Sequence, residues 1–169
     1  MLPDILPGPD DPPPRVLFCG INPGLLSAAK GQHFARPGNR FWPALHQSGF
    51  TPTQLRPDQQ FELAALGLGI TNLVPRATAK AQELSTEELV AGGQRLTELA
   101  EALSPRWLAV VGITAYRTAF ASPRAVVGAQ TLRIGQTRVW ALPNPSGLNA
   151  HWQLPAMVEE FARLRAASD

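Results

Sequence analysis

The sequence predicts an α/β fold, a three-layer α/β/α sandwich with a central, mostly parallel four-stranded sheet in a single domain. Three observations predict it. Four short runs are apolar throughout instead of alternating, as strands covered on both faces are. Helical segments lie between these runs, which is the order of βαβ units. The length, 169 residues, suits one compact domain burying about two-thirds of its unfolded surface.

Taken in order, residues 1–14 carry Pro7-Gly8-Pro9 and Pro12-Pro13-Pro14 and read as a flexible leader ahead of a single folded domain spanning residues 15–169. Arg15-Val16-Leu17-Phe18-Cys19-Gly20 is the first buried strand, ended by its glycine. Residues 39–49, with Phe41, Trp42, Ala44 and Leu45, read as a helix, and residues 58–66 as another. Leu68-Gly69-Ile70-Thr71-Asn72-Leu73-Val74 is the second strand. Ser85 and Glu88 form a capping box, and Leu89, Leu96, Leu99 and Leu103 put one apolar stripe on the helix that follows. Trp107-Leu108-Ala109-Val110-Val111-Gly112 is the third strand, with a short helix near 114–121. Residues 126–139 are ambiguous, a turn or a small hairpin. Arg138-Val139-Trp140-Ala141-Leu142 is the fourth strand, and residues 152–166 make a closing amphipathic helix.

Composition narrows the class. Hydrophobic residues make up 44% and charged residues 17%, a soluble globular balance, and no apolar run reaches the ~18 residues of a membrane span. The acidic, proline-rich N-terminus does not read as a secretory signal. A single cysteine, Cys19, excludes an intramolecular disulfide and a multi-cysteine metal cluster. A cytoplasmic location, nucleoid-associated in a prokaryotic cell, is expected.

The net charge is only +2, but acids are absent between Asp11 and Asp58 and again between Glu101 and Glu159. Those gaps hold Arg15, Lys30, Arg36, Arg40 and Arg56, then Arg106, Arg117, Arg124, Arg133 and Arg138. Brought together, the two segments would form a cationic face of the kind phosphates need. As separate solvated stretches they would mean nothing.

In a parallel sheet, ligands bind beyond the carboxyl ends of the strands. Two loops there share an Asn-Pro step: Gly20-Ile21-Asn22-Pro23-Gly24 after the first strand, and Pro143-Asn144-Pro145-Ser146-Gly147-Leu148-Asn149 after the fourth. Either alone is ordinary turn chemistry. The phosphate loop of nucleotide triphosphatases is missing, Gly67-x-Gly69 lacks a third glycine and precedes its strand, and no Gly-x-Ser-x-Gly elbow occurs. His33, His46 and His151 lack metal-site spacing.

Phe18-Cys19-Gly20-Ile21-Asn22-Pro23-Gly24, then Phe34, Asn39-Arg40-Phe41-Trp42, and Leu142-Pro143-Asn144-Pro145-Ser146-Gly147-Leu148 together resemble the mismatch-specific uracil-DNA glycosylases, with thymine-DNA glycosylase the related branch. The likeness runs from about residue 15 to 165 and includes Val74-Pro75-Arg76 and the Gly92-Gly93 helix. It implies a base-excision repair enzyme that flips a uracil, with etheno-cytosine or thymine as further candidates, out of a G·U or G·T mispair in double-stranded DNA.

The resemblance makes Asn22 the catalytic residue. Unlike the aspartate of other uracil-DNA glycosylase families, a neutral amide orients water without taking its proton. Gly20, Ile21, Pro23, Gly24, Ser27, Phe34, Asn72 and Asn144 are implied for the base pocket. Phe34 would stack on the base, and Ser27 could equally cap a helix. Pro145, Ser146, Gly147, Leu148 and Asn149 are implied as the DNA wedge, with Asn149 pairing the widowed guanine. Lys30, Arg36 and Arg40 are candidate phosphate contacts. Ala150 departs from members that carry a basic residue after the wedge.

No metal or cofactor is implied, nor a membrane or an obligate protein partner, and a monomer is expected. No lysine of the matching motifs suggests a lyase, which makes the enzyme monofunctional. Two alternatives stay open: a mismatch-binding protein that barely cuts, and a broader-specificity uracil-DNA glycosylase.

Overall fold

In the computed structural model, which describes residues 2–169, the first strand β1 (Val16–Gly20) lies inside the sheet, with a neighbour on each side. On one side it pairs parallel with β2 (Leu68–Asn72) and on the other with β3 (Trp107–Val111). Next to β3 comes β5 (Thr137–Leu142), also parallel, and the outer edge is β4 (Gly128–Ile134), antiparallel to β5. The sheet therefore has five strands in the order β2-β1-β3-β5-β4, not the four expected.

The physical reason for the missed strand is its position. At an edge, β4 buries only its two end residues, so Gly128–Ile134 shows neither a continuous apolar run nor a clean alternation. An irregular register between Ala129 and Arg133 blurs the pattern further.

Side chains alternate across β1: Val16 and Phe18 enter one core, Leu17 and Cys19 the other. The first core is covered by α2 (Phe41–Gln47) and α5 (Leu154–Ser168), through Phe41, Trp42, Met157 and Phe161. The second is covered by α3 (Thr86–Leu103) and α4 (Ile113–Ala119), through Leu96, Ala100 and Tyr116. Residues 57–66 form a 3-10 helix, and a short α1 (Leu25–Lys30) that the sequence pattern did not reveal follows the β1 loop. The α3 cap is as expected: Ser85 Oγ accepts from the Glu88 N–H at 3.1 Å, and Glu88 Oε1 accepts from the Ser85 N–H at 3.1 Å.

Two glycines let α3 approach its neighbours closely, Gly92 the segment after β2 and Gly93 the end of α4. A Cβ on Gly92 would collide with the Leu73 carbonyl oxygen, and one on Gly93 would stand 2.6 Å from that of Ala119.

Part of the expected leader belongs to the fold. Ile5 is buried and exchanges two backbone hydrogen bonds with Ile70, at 2.8 and 2.9 Å, extending the sheet beyond β2. His33 Nε2 bonds the Pro3 carbonyl at 2.6 Å. Residues 8–13 are exposed, while Met1 lies outside the described residues.

Candidate active site

The carboxyl ends of β1 and β2 are in register, Gly20 opposite Asn72, and the pairing continues past both strands. Leu73 N donates to the Gly20 carbonyl at 2.8 Å, Val74 N to that of Ile21 at 2.9 Å, and Thr78 N to that of Pro23 at 3.1 Å. The loop 73–78 is thus laced along the Asn22 loop.

This lacing determines how the Asn22 amide is oriented. Its Nδ2 donates to the Arg76 carbonyl at 2.9 Å and to Thr78 Oγ1 at 2.8 Å. The Thr78 hydroxyl gives its own proton to the Lys80 carbonyl at 2.8 Å, so toward Asn22 it can only accept. Both Nδ2 protons are committed, and Oδ1 is the end of the amide left without a partner among the described residues. Arg76 is in turn gripped by Glu88 in a two-pronged ion pair, both contacts at 2.9 Å. That guanidinium, with the Ser85 N–H adding to it, pulls the Glu88 carboxyl down to about 2. One glutamate therefore caps α3 and steadies the segment that holds Asn22.

Gly20 is the meeting point of the expected base pocket. A Cβ there would sit 2.7 Å from Asn72 Oδ1 and 3.2 Å from Phe34 Cζ, so these two side chains converge on the bare glycine backbone. Phe34 is half-buried, adopts a left-handed φ of 51°, and stacks on Phe41 with ring centres 4.1 Å apart. Its loop is tied down at several points. Ser27 Oγ accepts from the Ala35 N–H at 3.0 Å; Ser27 lies inside α1 and does not cap it. Gln60 accepts from the His33 N–H and donates to the Gly31 carbonyl, both at 2.8 Å, and Trp42 Nε1 donates to the His33 carbonyl at 3.0 Å. An unfavourable φ persists only where its surroundings hold it, as these bonds hold Phe34.

The β5 loop is organised differently. Asn144 Oδ1 accepts from the Ser146 N–H at 3.0 Å, and Asn149 Nδ2 donates to the Asn144 carbonyl at 2.9 Å. Asn149 Oδ1 accepts from the His151 N–H at 3.0 Å. Both asparagine side chains thus brace their own loop; the Asn149 amide, expected at the widowed guanine, is engaged at both ends. Leu148 stands at the tip, 72% exposed, far above the exposure of any core leucine. Beside it a cleft of about 450 Å³ runs between residues 36–40 and the loop, with Arg36, Gly38, Gly147 and Leu148 in its walls.

The two acid-free segments do meet, because Arg40 donates to the Ser146, Asn149 and Trp152 carbonyls. Arg40 NH1 and NH2 are therefore occupied within the chain. Arg36 lines the cleft and Lys30 ends α1. The other cations are divided. Arg15 pairs with Asp169 at 3.1 Å, and Arg138 lies over the Trp107 ring at the amino end of the sheet. The single cationic face that the charge pattern suggested is only partly assembled.

Of the other titratable groups, the Cys19 thiol is pushed up by complete burial, so it is no nucleophile. His33 is pushed down by burial. Among the described residues no three His, Cys, Asp or Glu side chains gather as a metal site would require. Nor, among those residues, is any helix long and apolar enough to cross a membrane.

Thr78, Arg76, Gln60 and the bracing action of Arg40 escaped sequence reasoning. No spacing signal points to Thr78: the register that sets Gly20 opposite Asn72, and so runs residues 73–78 beside Asn22, is a property of the fold.

A family model described as the uracil DNA glycosylase superfamily matches residues 7–165, nearly the whole chain and both Asn-Pro loops. Members of that superfamily are DNA glycosylases, hydrolases of N-glycosyl bonds that act on DNA. With a mostly parallel five-stranded sheet and its two asparagine loops at the carboxyl edge, this chain belongs to the uracil DNA glycosylase superfamily.

Proposed function

We propose that the protein is a monofunctional glycosylase of the mismatch-specific branch, excising uracil from G·U mispairs in double-stranded DNA, with etheno-cytosine and thymine as secondary substrates. A G·U wobble opens at lower cost than a Watson–Crick pair, so selectivity begins with flipping itself.

The observation that carries the reading is the committed Asn22 amide. With Nδ2 bound to Arg76 and Thr78, Oδ1 is available to accept a hydrogen bond from water. An amide does not take up a proton at neutral pH, so it orients the water and leaves bond cleavage to run ahead of attack. The C1′–N1 bond breaks and its electron pair departs with uracil as an anion. The water oxygen then bonds the cationic C1′, and its surplus proton passes to solvent or to the departing base. Backbone N–H groups of the Gly20–Gly24 loop are the donors for the anion. Phe34 and Asn72, converging on Gly20, bound the base: the ring by stacking and the amide by hydrogen bonding. Leu148, the exposed tip of the β5 loop, fills the gap left by the flipped nucleotide.

The test is single-turnover release of uracil from a G·U duplex by wild type and Asn22→Ala, on the same preparation used for duplex binding. Clean release, cut by about 100-fold or more when the water loses its anchor, is the expected result. Tight binding without release would favour a mismatch-binding protein. Equal release from single-stranded uracil would favour a broader-specificity enzyme.

A further inference from the structure

Arg40 was expected at a phosphate, yet its surroundings describe another task. It is the residue just before α2, whose Phe41 and Trp42 are buried in the core, so its backbone is anchored to the rigid part of the molecule. Asn39 Oδ1 accepts from the Phe41 N–H at 2.9 Å and fixes the entry to that helix. From this anchor the Arg40 N–H donates to the Pro145 carbonyl at 2.8 Å. The guanidinium donates through NH2 to Ser146 at 3.0 Å and Asn149 at 2.9 Å, and through NH1 to the Trp152 carbonyl. One side chain thus holds carbonyls before and after the exposed Leu148. It forms no ion pair with any carboxylate among the described residues, so these carbonyls are its acceptors. The contact between the two segments is close elsewhere too: a Cβ on Gly147 would stand 2.6 Å from the Gly38 carbonyl oxygen.

We propose that Arg40 is the positioning residue of the wedge, a clamp that ties the β5 loop to α2 and presents Leu148 in its inserting conformation before DNA arrives. The proposal rests on the glycosylase reading for the wedge itself. A loop tip that enters the base stack must resist the stack pushing back, and a tip free to fold away would insert rarely. Four backbone and side-chain donations from one core-anchored residue remove that freedom beforehand, which is preorganisation. The planar fork of arginine suits several diverging carbonyls, whereas a lysine ammonium on a flexible stem reaches fewer of them.

The experiment compares wild type, Arg40→Gln, Arg40→Lys, Leu148→Ala and the Arg40→Gln/Leu148→Ala double variant on two substrates, a G·U duplex and the same uracil in an unpaired bubble. Arg40→Gln should lose about 10- to 100-fold on the duplex, the scale of a misplaced group remote from the chemistry, with little change on the bubble. Arg40→Lys should fall between Arg40→Gln and wild type. The double variant should be no worse than the poorer single, because both changes disable one device. Equal losses on both substrates, or losses that multiply in the double variant, would overturn the wedge role.

Hydrogen exchange reads the clamp separately. The Leu148 and Asn149 amides should exchange faster in Arg40→Gln, while β1 stays protected. Unchanged loop exchange would overturn the clamp. Should Arg40→Gln disturb β1, Arg40→Lys carries the same comparison. If wild type releases uracil from neither substrate, the glycosylase reading falls and the wedge role with it. Exchange then still decides whether Arg40 holds the loop.

Discussion

Two loops at one edge of the sheet begin with the same Asn-Pro step, and the structure uses the two asparagines in opposite ways. Asn22 is held from outside: its Nδ2 is bound by the neighbouring loop, at Arg76 and Thr78, and its Oδ1 is left over. Asn144 is used from inside: its Oδ1 accepts from Ser146 two residues on, and it closes a turn. An identical dipeptide therefore leaves an amide oxygen without a partner in one place and closes a turn in the other. What separates them is the neighbour. The β1 loop has a parallel loop laced beside it, which takes both Nδ2 protons of Asn22. The β5 loop has no such partner strand beyond it and is braced by its own asparagines and by Arg40.

The largest effect is expected at Gly20, where Asn72 and Phe34 converge on the first loop. Gly20→Ala places a methyl 2.7 Å from Asn72 Oδ1 and 3.2 Å from the Phe34 ring. The amide can swing away, but Phe34 is stacked on Phe41 and pinned through Ser27 and Gln60. Excision should fall by about 100-fold, the scale of a small misplacement at the reacting centre. The thermal midpoint should move only a few degrees, about 1 kcal/mol for a domain of this size. Activity close to wild type would show that the base does not lie against Gly20.

The external hold on Asn22 is next. Thr78→Val keeps the shape and removes the acceptor for one Nδ2 proton, so the amide gains a second orientation. The expected loss is about tenfold, corresponding to roughly 1.4 kcal/mol for one hydrogen bond. Thr78→Ser, which keeps the hydroxyl, should restore most of the rate. Asn144→Ala provides the contrast: it should alter loop exchange and duplex cleavage while leaving the bubble substrate almost untouched. Were Thr78→Val and Asn144→Ala to show the same substrate pattern, the distinction between the two loops would be lost.

How much of this was readable beforehand follows from the same physics. The central strands were legible because burial on both faces writes continuous apolar runs, as in Val16–Gly20 and Trp107–Val111. The edge strand Gly128–Ile134 was not, since exposure leaves it without a pattern. Ile5 was hidden by the prolines around it, although one apolar residue suffices for one bridge to Ile70. Asn22, Phe34 and Leu148 were named from motifs, and the structure brings Phe34 to Gly20 and puts Leu148 at an exposed tip. Of the supporting residues, Thr78 and Gln60 carry no motif, and Arg40 reads from the sequence as a phosphate contact. Thr78, Gln60 and Arg40 act through hydrogen bonds to carbonyls, amides and side chains remote in sequence, and spacing alone does not record such partners.

The smallest expected effect concerns the outermost support. Glu88 titrates near 4.5 in the unfolded chain and at about 2 beside Arg76, so folding favours its ionised form. The stability it adds is fully present above 4.5 and disappears as pH falls from there toward 2. His33 acts in a higher window. Burial lowers its pKa, so the unfolded chain protonates first and stability declines as pH drops below its ordinary 6.5. Because His33 is present in both proteins, its contribution cancels when wild type is compared with Glu88→Gln. The difference between their melting temperatures should be constant above 4.5 and shrink steadily below it. The pair lies at the surface, with Arg76 half exposed and Glu88 partly so, and water screens it, so the difference should be small throughout. Its effect on excision near neutral pH should be a modest fall, because Arg76 still presents its carbonyl to Asn22 through the backbone lacing. A fall as large as that of Thr78→Val would mean that the ion pair, and not the lacing, holds the Asn22 amide.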